Sequence, residues 1–219
     1  MTTDMTTRFR TLILDVDSTV SGIEGIDWLA RRRGAAMERR IAAMTDDAMR
    51  GHTPLERIYG ARLEAIEPTR DDIGALAEAY AQSIAPGCAD VVARLRSAGV
   101  RVVLISGGLH PAILLLARAL GIVDDLHAVD IRFTDDGTYV GFDAASPLTT
   151  SDGKRTVVER LGAARPIVAV GDGSTDLAMK PAVDKFAAFV GFVRREAVVA
   201  GADTVVSSFA EVERIVLGD

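Results

Sequence analysis

Thr11-Leu12-Ile13-Leu14-Asp15-Val16-Asp17-Ser18-Thr19 holds the most informative change of character in the chain. Thr11 and the three apolar residues after it, with no polar alternation, read as a short strand buried on both faces. The run stops at two carboxylates two positions apart, which in extended chain point to the same side. Like charges held that close are costly unless a cation or a shared proton relieves them. A D-x-D by itself is equally an ordinary polar strand exit, so its neighbours have to decide.

Further apolar runs lie at Val100 to Ile105, Ile167 to Val170, Phe186 to Val190 and Thr204 to Val206. Helical patterns separate them. One spans Asp90 to Ala98 and stops at Gly99, and another opens at Pro111 and ends before Gly121. Strands alternating with helices predict an α/β fold: a doubly wound, mostly parallel sheet covered on both faces. Between about Gly22 and Ile84 only helical patterns occur. Thr53-Pro54-Leu55-Glu56 reads as a capping box with proline at the first helical position. Thr69-Arg70-Asp71-Asp72 opens a second helix whose stripe is Ile73, Leu76, Tyr80 and Ile84, and Glu24 to Arg33 is a third. The expected organisation is a core of residues 1–20 and 85–219 with a small helical cap, 21–84, inserted after the first strand. Ser21-Gly22 and Pro86-Gly87 are the expected hinges. Asp135-Asp136-Gly137, between Val129-Asp130-Ile131-Arg132-Phe133 and Tyr139-Val140-Gly141-Phe142, predicts a β-hairpin.

Composition removes several function classes. The 219 residues carry 25 basic and 31 acidic side chains, a net charge of −6, which argues against sequence-independent nucleic-acid binding. His52, His110 and His127 are far apart, so a His/Cys zinc cluster and a Ser-His-Asp triad lack material. Cys88 is the only cysteine, fitting a reducing, cytoplasmic setting and a small buried hydrophobe. No apolar run reaches membrane-spanning length, and Met1 to Arg10 does not have the pattern of a signal peptide. Oligomeric state is not legible; a homodimer is compatible with the sequence.

The ends of the other apolar runs echo the first. Val102-Val103-Leu104-Ile105 ends in Ser106-Gly107-Gly108, and Val168-Ala169-Val170 ends in Gly171-Asp172-Gly173-Ser174-Thr175-Asp176. Asp152-Gly153-Lys154 opens a helix between them. Only three of the basic residues are lysines (Lys154, Lys180, Lys185), so a compact ammonium stands where arginine is the rule. Ligands of open parallel sheets bind beyond the carboxyl ends of the strands.

In order and spacing these four pieces resemble the haloacid dehalogenase superfamily, whose phosphatases carry D-x-D-x-T/S, a strand-terminal Ser/Thr, a Lys and G-D-x-x-x-D. The resemblance covers essentially the whole chain. It implies the doubly wound fold with a cap that closes over the site. It also implies a Mg²⁺-dependent phosphomonoester hydrolase working through an aspartyl phosphate. Asp15 would be the nucleophile and Asp17 the general acid and base. Ser106, Gly107 and Lys154 would hold phosphate oxygens. Mg²⁺ would be held by Asp15, the carbonyl of Asp17 and Asp172, with Asp176 as a further ligand or a holder of the others. Dehalogenating members lack the second aspartate, because a halide leaves without a proton; Asp17 therefore implies phosphate-ester hydrolysis.

Asp15 to Thr19, Glu24-Gly25-Ile26-Asp27 and Ala48-Met49-Arg50-Gly51 resemble more narrowly the phosphoserine phosphatases of that superfamily. The resemblance implies that Glu24 meets the substrate amino group, Arg62 meets its carboxylate, and Met49, Leu55 and Thr175 complete the substrate contacts. His52 stands where those enzymes often have glutamate, Leu55 replaces an aromatic residue, and Ile58 replaces a common serine. Three other readings share the motifs. One is hydrolysis of another small phosphomonoester: an amino-alcohol phosphate, a sugar phosphate or a methionine-salvage intermediate. The second is a phosphotransferase or mutase, and the third a phosphoacceptor signalling domain. The expected partner in the first two is a small phosphate ester, with neither nucleic acid nor membrane involved.

Overall fold

The computed structural model describes residues 9–50 and 52–218. Most of the Met1–Arg10 segment, Gly51 and Asp219 lie outside the described residues. The strands are β1 (Thr11–Leu14), β2 (Arg101–Leu109), β3 (Leu126–Val129), β4 (Ile131–Phe133), β5 (Tyr139–Phe142), β6 (Ile167–Gly171), β7 (Lys185–Phe189) and β8 (Thr204–Val206). Six of them form one sheet in the order β3-β2-β1-β6-β7-β8, and every neighbouring pair is parallel. The helices are α1 (Gly25–Arg31), α2 (Ala35–Met49), α3 (Leu55–Ile66), α4 (Arg70–Gln82), α5 (Cys88–Ser97), α6 (His110–Ala119), α7 (Gly153–Arg160), α8 (Ser174–Leu177), α9 (Glu196–Gly201) and α10 (Phe209–Leu217).

Strand β1 lies at the centre, with Leu14 registered against Leu104 of β2 on one side and Val170 of β6 on the other. Leu12, Ile13 and Leu14 are wholly buried, the physical reason the run shows no alternation. Chain order runs outward in both directions from β1, so the crevice at its carboxyl end is a topological switch point. That geometry brings the residues after β1, β2 and β6 to one rim.

The segment between β1 and α5 is helical. Its two connections leave the sheet side by side: Ser21 bridges Ile84, Gly22 N donates to Ser83 O at 3.1 Å, and Ala85 N donates to Val20 O at 2.8 Å. Ile84 thus lies beyond α4, in this bridge, instead of continuing the helical stripe. Helix α2 was not among the expected helices; Ile41, Thr45 and Ala48 are its buried face, at helical spacing.

Three local expectations need correction. Pro54 caps α3 instead of opening it, and no side-chain capping bond forms there. The Thr53 hydroxyl is drawn to Asp47, while Leu55 N donates to Ser151 Oγ at 3.0 Å. Strand β2 runs on through Ser106-Gly107-Gly108 to Leu109, which pairs with Val129 after a register shift. Val129 belongs to β3 of the main sheet, so the hairpin is only β4 with β5.

The capping box at Thr69 does form: its hydroxyl accepts from Asp72 N at 3.2 Å, and Asp72 Oδ2 accepts from Thr69 N at 3.0 Å. Asp72 also receives Arg32 Nε and Arg33 Nη2, each at 2.7 Å, and so ties the end of α1 to the start of α4. Against the pull of burial, these donors hold its carboxyl well below the usual carboxylate range. A depressed folded value means that the stabilisation is complete above the ordinary carboxyl range, near pH ~3.9, and is lost as pH falls through the folded value. Asp72→Asn is therefore expected to lower unfolding free energy by about 1–2 kcal/mol at pH 7. In urea titrations the gap to wild type should narrow below about pH 4; a gap that stays constant down to pH 3 would contradict this.

Cys88 is fully buried, which pushes its thiol up to about 12 and leaves it inert at neutral pH. None of the described helices is long and apolar enough to cross a membrane.

Candidate active site

Asp15 follows β1 directly, and its N–H donates to Val170 O at 3.0 Å, continuing the ladder to β6. Helix α7 delivers Lys154, whose Nζ bonds Asp15 Oδ1 and, at 2.6 Å, Asp176 Oδ1. All three side chains are buried. Burial opposes the lysine's charge, but the two carboxylates outweigh it and keep the ammonium protonated. Burial and Asp176 push the Asp15 carboxyl up, and Lys154 pulls it back.

The loop after β6 is shaped by Asp176. Its Oδ2 accepts from Asp172 N at 3.1 Å and Gly173 N at 2.8 Å. Gly171 is required for this turn, because a Cβ there would lie 2.3 Å from Asp176 Cγ. Both Asp176 oxygens are thus engaged. Asp172 Oδ1 accepts from Thr19 Oγ1 at 3.1 Å, and its Oδ2 meets the Arg195 guanidinium.

Oxygens of Asp15, Asp172 and Asp176 lie within 4.8 Å of one another. Six carboxylates line the surrounding pocket (Asp15, Asp17, Glu24, Asp27, Asp172, Asp176) against Arg62, Lys154 and Arg195, the last reaching in to Asp172 and Glu24. Hard, buried oxygen donors in excess of positive charge fit a hard divalent cation.

Two residues on, Asp17 Oδ1 accepts from Gly25 N at 2.8 Å and Tyr80 Oη at 2.5 Å. Its carboxyl is raised to about 6, first by burial and then by Glu24, against the pull of those two donors. Ser18 adopts φ 53°, a left-handed conformation costly for a residue with a side chain, and its hydroxyl donates to Glu24 Oε1 at 2.9 Å. Arg195 Nη2 reaches the same Glu24 oxygen at 3.2 Å.

The helical segment supplies the opposite wall. Arg62 is buried, with Nη1 donating to Thr45 Oγ1 at 2.8 Å and Thr45 donating on to Asp27 Oδ1 at 2.6 Å. Its guanidinium lies 5.7 Å from the Tyr59 ring centroid, and its Nε is buried with no hydrogen-bond partner among the described residues. A buried guanidinium with a free donor matches a carboxylate ligand. Tyr59 Oη donates to Gly107 O at 2.8 Å, joining this wall to the β2 loop.

Asp15, Asp17, Glu24, Leu55, Arg62, Gly107, Lys154, Asp172, Thr175 and Asp176 all line this one pocket. Ser106 adjoins it, fully buried, with Oγ accepting from Gly108 N at 2.9 Å. Met49 is the last residue of α2, and its side chain lies outside the described ones. Sequence reading missed Arg195, Tyr80, Tyr59, Thr45 and Asp27. Arg195 sits in a charged run, Arg194-Arg195-Glu196, with no mark of burial, and Tyr80 reads as one more apolar position of a helical stripe.

The family model for haloacid dehalogenase-like hydrolases matches residues 10–181. The chain belongs to the haloacid dehalogenase-like hydrolases. Within that family it is 36% identical over 201 residues to the phosphoserine phosphatase of Bos taurus, covering 90% of this chain and 88% of the relative. It is also 36% identical over 201 residues to the chloroplastic phosphoserine phosphatase of Arabidopsis thaliana, covering 89% of this chain and 68% of that one. Among solved structures, a phosphoserine phosphohydrolase-like protein from Francisella tularensis superposes with TM-score 0.86 at 25% identity, covering 94% of this chain and 99% of that one. This member of the family is thus a phosphoric monoester hydrolase.

Proposed function

We propose that this hydrolase converts O-phosphoserine and water to serine and phosphate through an aspartyl phosphate at Asp15, the closing step of serine biosynthesis. The observation that carries the substrate is the pair Glu24 and Arg62, opposite charges, the first half-buried and the second buried, that line the pocket also containing Asp15. Phosphoserine presents an ammonium and a carboxylate on a short stem, and one Glu and one Arg are their minimal complement. Leu55 lies on the same pocket wall as Arg62, and an apolar neighbour excluding water strengthens the pairing.

In this reading an Asp15 carboxylate oxygen attacks phosphorus, and the ester P–O bond breaks as Asp17 gives its proton to the serine oxygen. Water then attacks phosphorus and returns a proton to Asp17, the Asp15–phosphorus bond breaks, and Asp15 leaves as carboxylate. Ser106, the Gly107 loop and Lys154 hold the phosphoryl oxygens throughout. Asp15, Asp172 and the Asp17 carbonyl would hold Mg²⁺, with Asp176 bracing the loop. The ion, when bound, offsets the phosphoryl charge and lets Asp15 stay ionised despite its burial. Residues 21–84 act as the cap that admits substrate and excludes water, hinged at Ser21-Gly22 and Pro86-Gly87. Thr175 and Met49 border the substrate. The lone, buried Cys88 is in keeping with a cytoplasmic setting.

A phosphate-release panel tests this. Phosphoserine is expected to give the highest kcat/KM, above phosphoethanolamine, which lacks the carboxylate, and above sugar phosphates. Arg62→Ala should lower kcat/KM for phosphoserine by about 30- to 1000-fold, the loss of a buried charge pair, while phosphoethanolamine changes little. A phosphoserine value within threefold of wild type in Arg62→Ala would overturn the substrate assignment.

A further inference from the structure

Tyr80 stands outside the four motifs, yet it is wholly buried and its hydroxyl touches the acid and base of the proposed reaction. Helix α4 carries it in from the cap segment. A buried tyrosine hydroxyl needs a polar partner, and here the partner is a carboxylate with chemistry to do. The approach is built for. A Cβ on Gly25 would stand 2.0 Å from the Tyr80 hydroxyl, so only glycine leaves it room. Gly25 N–H donates to the same oxygen, Asp17 Oδ1.

The other oxygen faces elsewhere. A Cβ built on Gly108 would lie 3.2 Å from Asp17 Oδ2 and 3.1 Å from Ser106 Oγ, so Oδ2 looks onto the β2 loop where the phosphoryl group is held. Without donors fixing one oxygen, a carboxyl exchanges its two oxygens by rotation about χ2. We propose that Tyr80 is a positioning residue for the reaction: with Gly25 N–H it pins Oδ1 of Asp17, so that Oδ2 is the oxygen that gives up and recovers the proton. Gly25 N–H can only donate, so Oδ1 stays an acceptor and the acid's hydrogen resides on Oδ2.

The inference rests on the reading of Asp17 as acid and base. Its test is Tyr80→Phe, which removes one oxygen atom and keeps the ring. The expected result is a kcat about tenfold lower with KM for phosphoserine within twofold of wild type. Rapid-quench kinetics should show formation and breakdown of the phosphoenzyme slowed together, since Asp17 serves both steps. A purely structural role would leave kcat intact and lower only the unfolding midpoint. Gly25→Ala supplies the second reading should Tyr80→Phe fold poorly: it crowds the hydroxyl away from Asp17 without removing it. The two changes together should cost no more than about twofold beyond the worse single one, because they break the same contact. A folded Tyr80→Phe with kcat within twofold of wild type, or a loss carried wholly by KM, overturns the inference and leaves the proposed function standing. A wild-type protein that releases phosphate from no ester in the panel overturns that function and this inference with it.

Discussion

Asp15→Asn is expected to lower phosphate release by about 10⁴-fold or more, because the amide cannot form the acyl phosphate on which both half-reactions depend. The fold should survive. Asp15 is buried beside Asp176 and near Asp17, so removing its charge relieves repulsion even as Lys154 loses one of two partners. The unfolding midpoint is accordingly expected to hold or rise, the pattern of a residue kept for function at a cost in stability. Activity within tenfold of wild type would remove Asp15 from the chemistry.

Lys154→Met is the second large effect, and it differs in kind. Turnover should fall about 10³-fold with the loss of a preorganised cation at the phosphoryl oxygens. Stability should fall as well, by about 3–5 kcal/mol, because Asp15 and Asp176 are then buried without their ammonium. In the variant the Asp15 carboxyl, pushed up by burial and no longer pulled down by Lys154, takes up a proton above the ordinary carboxylate range, so the loss grows with rising pH and shrinks toward pH 5. Denaturant melts at pH 5 and pH 8 measure this; an equal loss at both would mean that the ammonium does not compensate buried charge. The contrast between the two variants separates the nucleophile from its counter-ion: one loses activity alone, the other activity and stability together.

How much of this was legible in the sequence followed from burial and position in the sheet. A strand buried on both faces announces itself as an unbroken apolar run, and Thr11-Leu12-Ile13-Leu14 put Asp15 and Asp17 at its carboxyl end without ambiguity. The same logic placed Asp172 after β6, whereas Lys154, at the start of α7, was marked by the scarcity of lysines and by the family resemblance. Local capping chemistry was less dependable, because tertiary partners compete for it: Thr53 is taken by Asp47, whereas Thr69 and Asp72 keep each other. Helix α2 escaped notice because its buried face, Ile41, Thr45 and Ala48, is narrow and partly polar. Arg195 and Tyr80 were invisible for a different reason. Their importance lies in contacts 171 and 63 positions away along the chain, which no local pattern encodes.

The central claim is that the phosphoryl group passes through Asp15. The most direct test mixes the Mg²⁺-loaded protein with phosphoserine, quenches in acid within milliseconds, and maps the modified residue by proteolysis and mass spectrometry. A phosphoryl adduct on Asp15, formed and lost at rates compatible with turnover, is the expected result. Full turnover with the adduct on another residue, or with no adduct at any time, would contradict it.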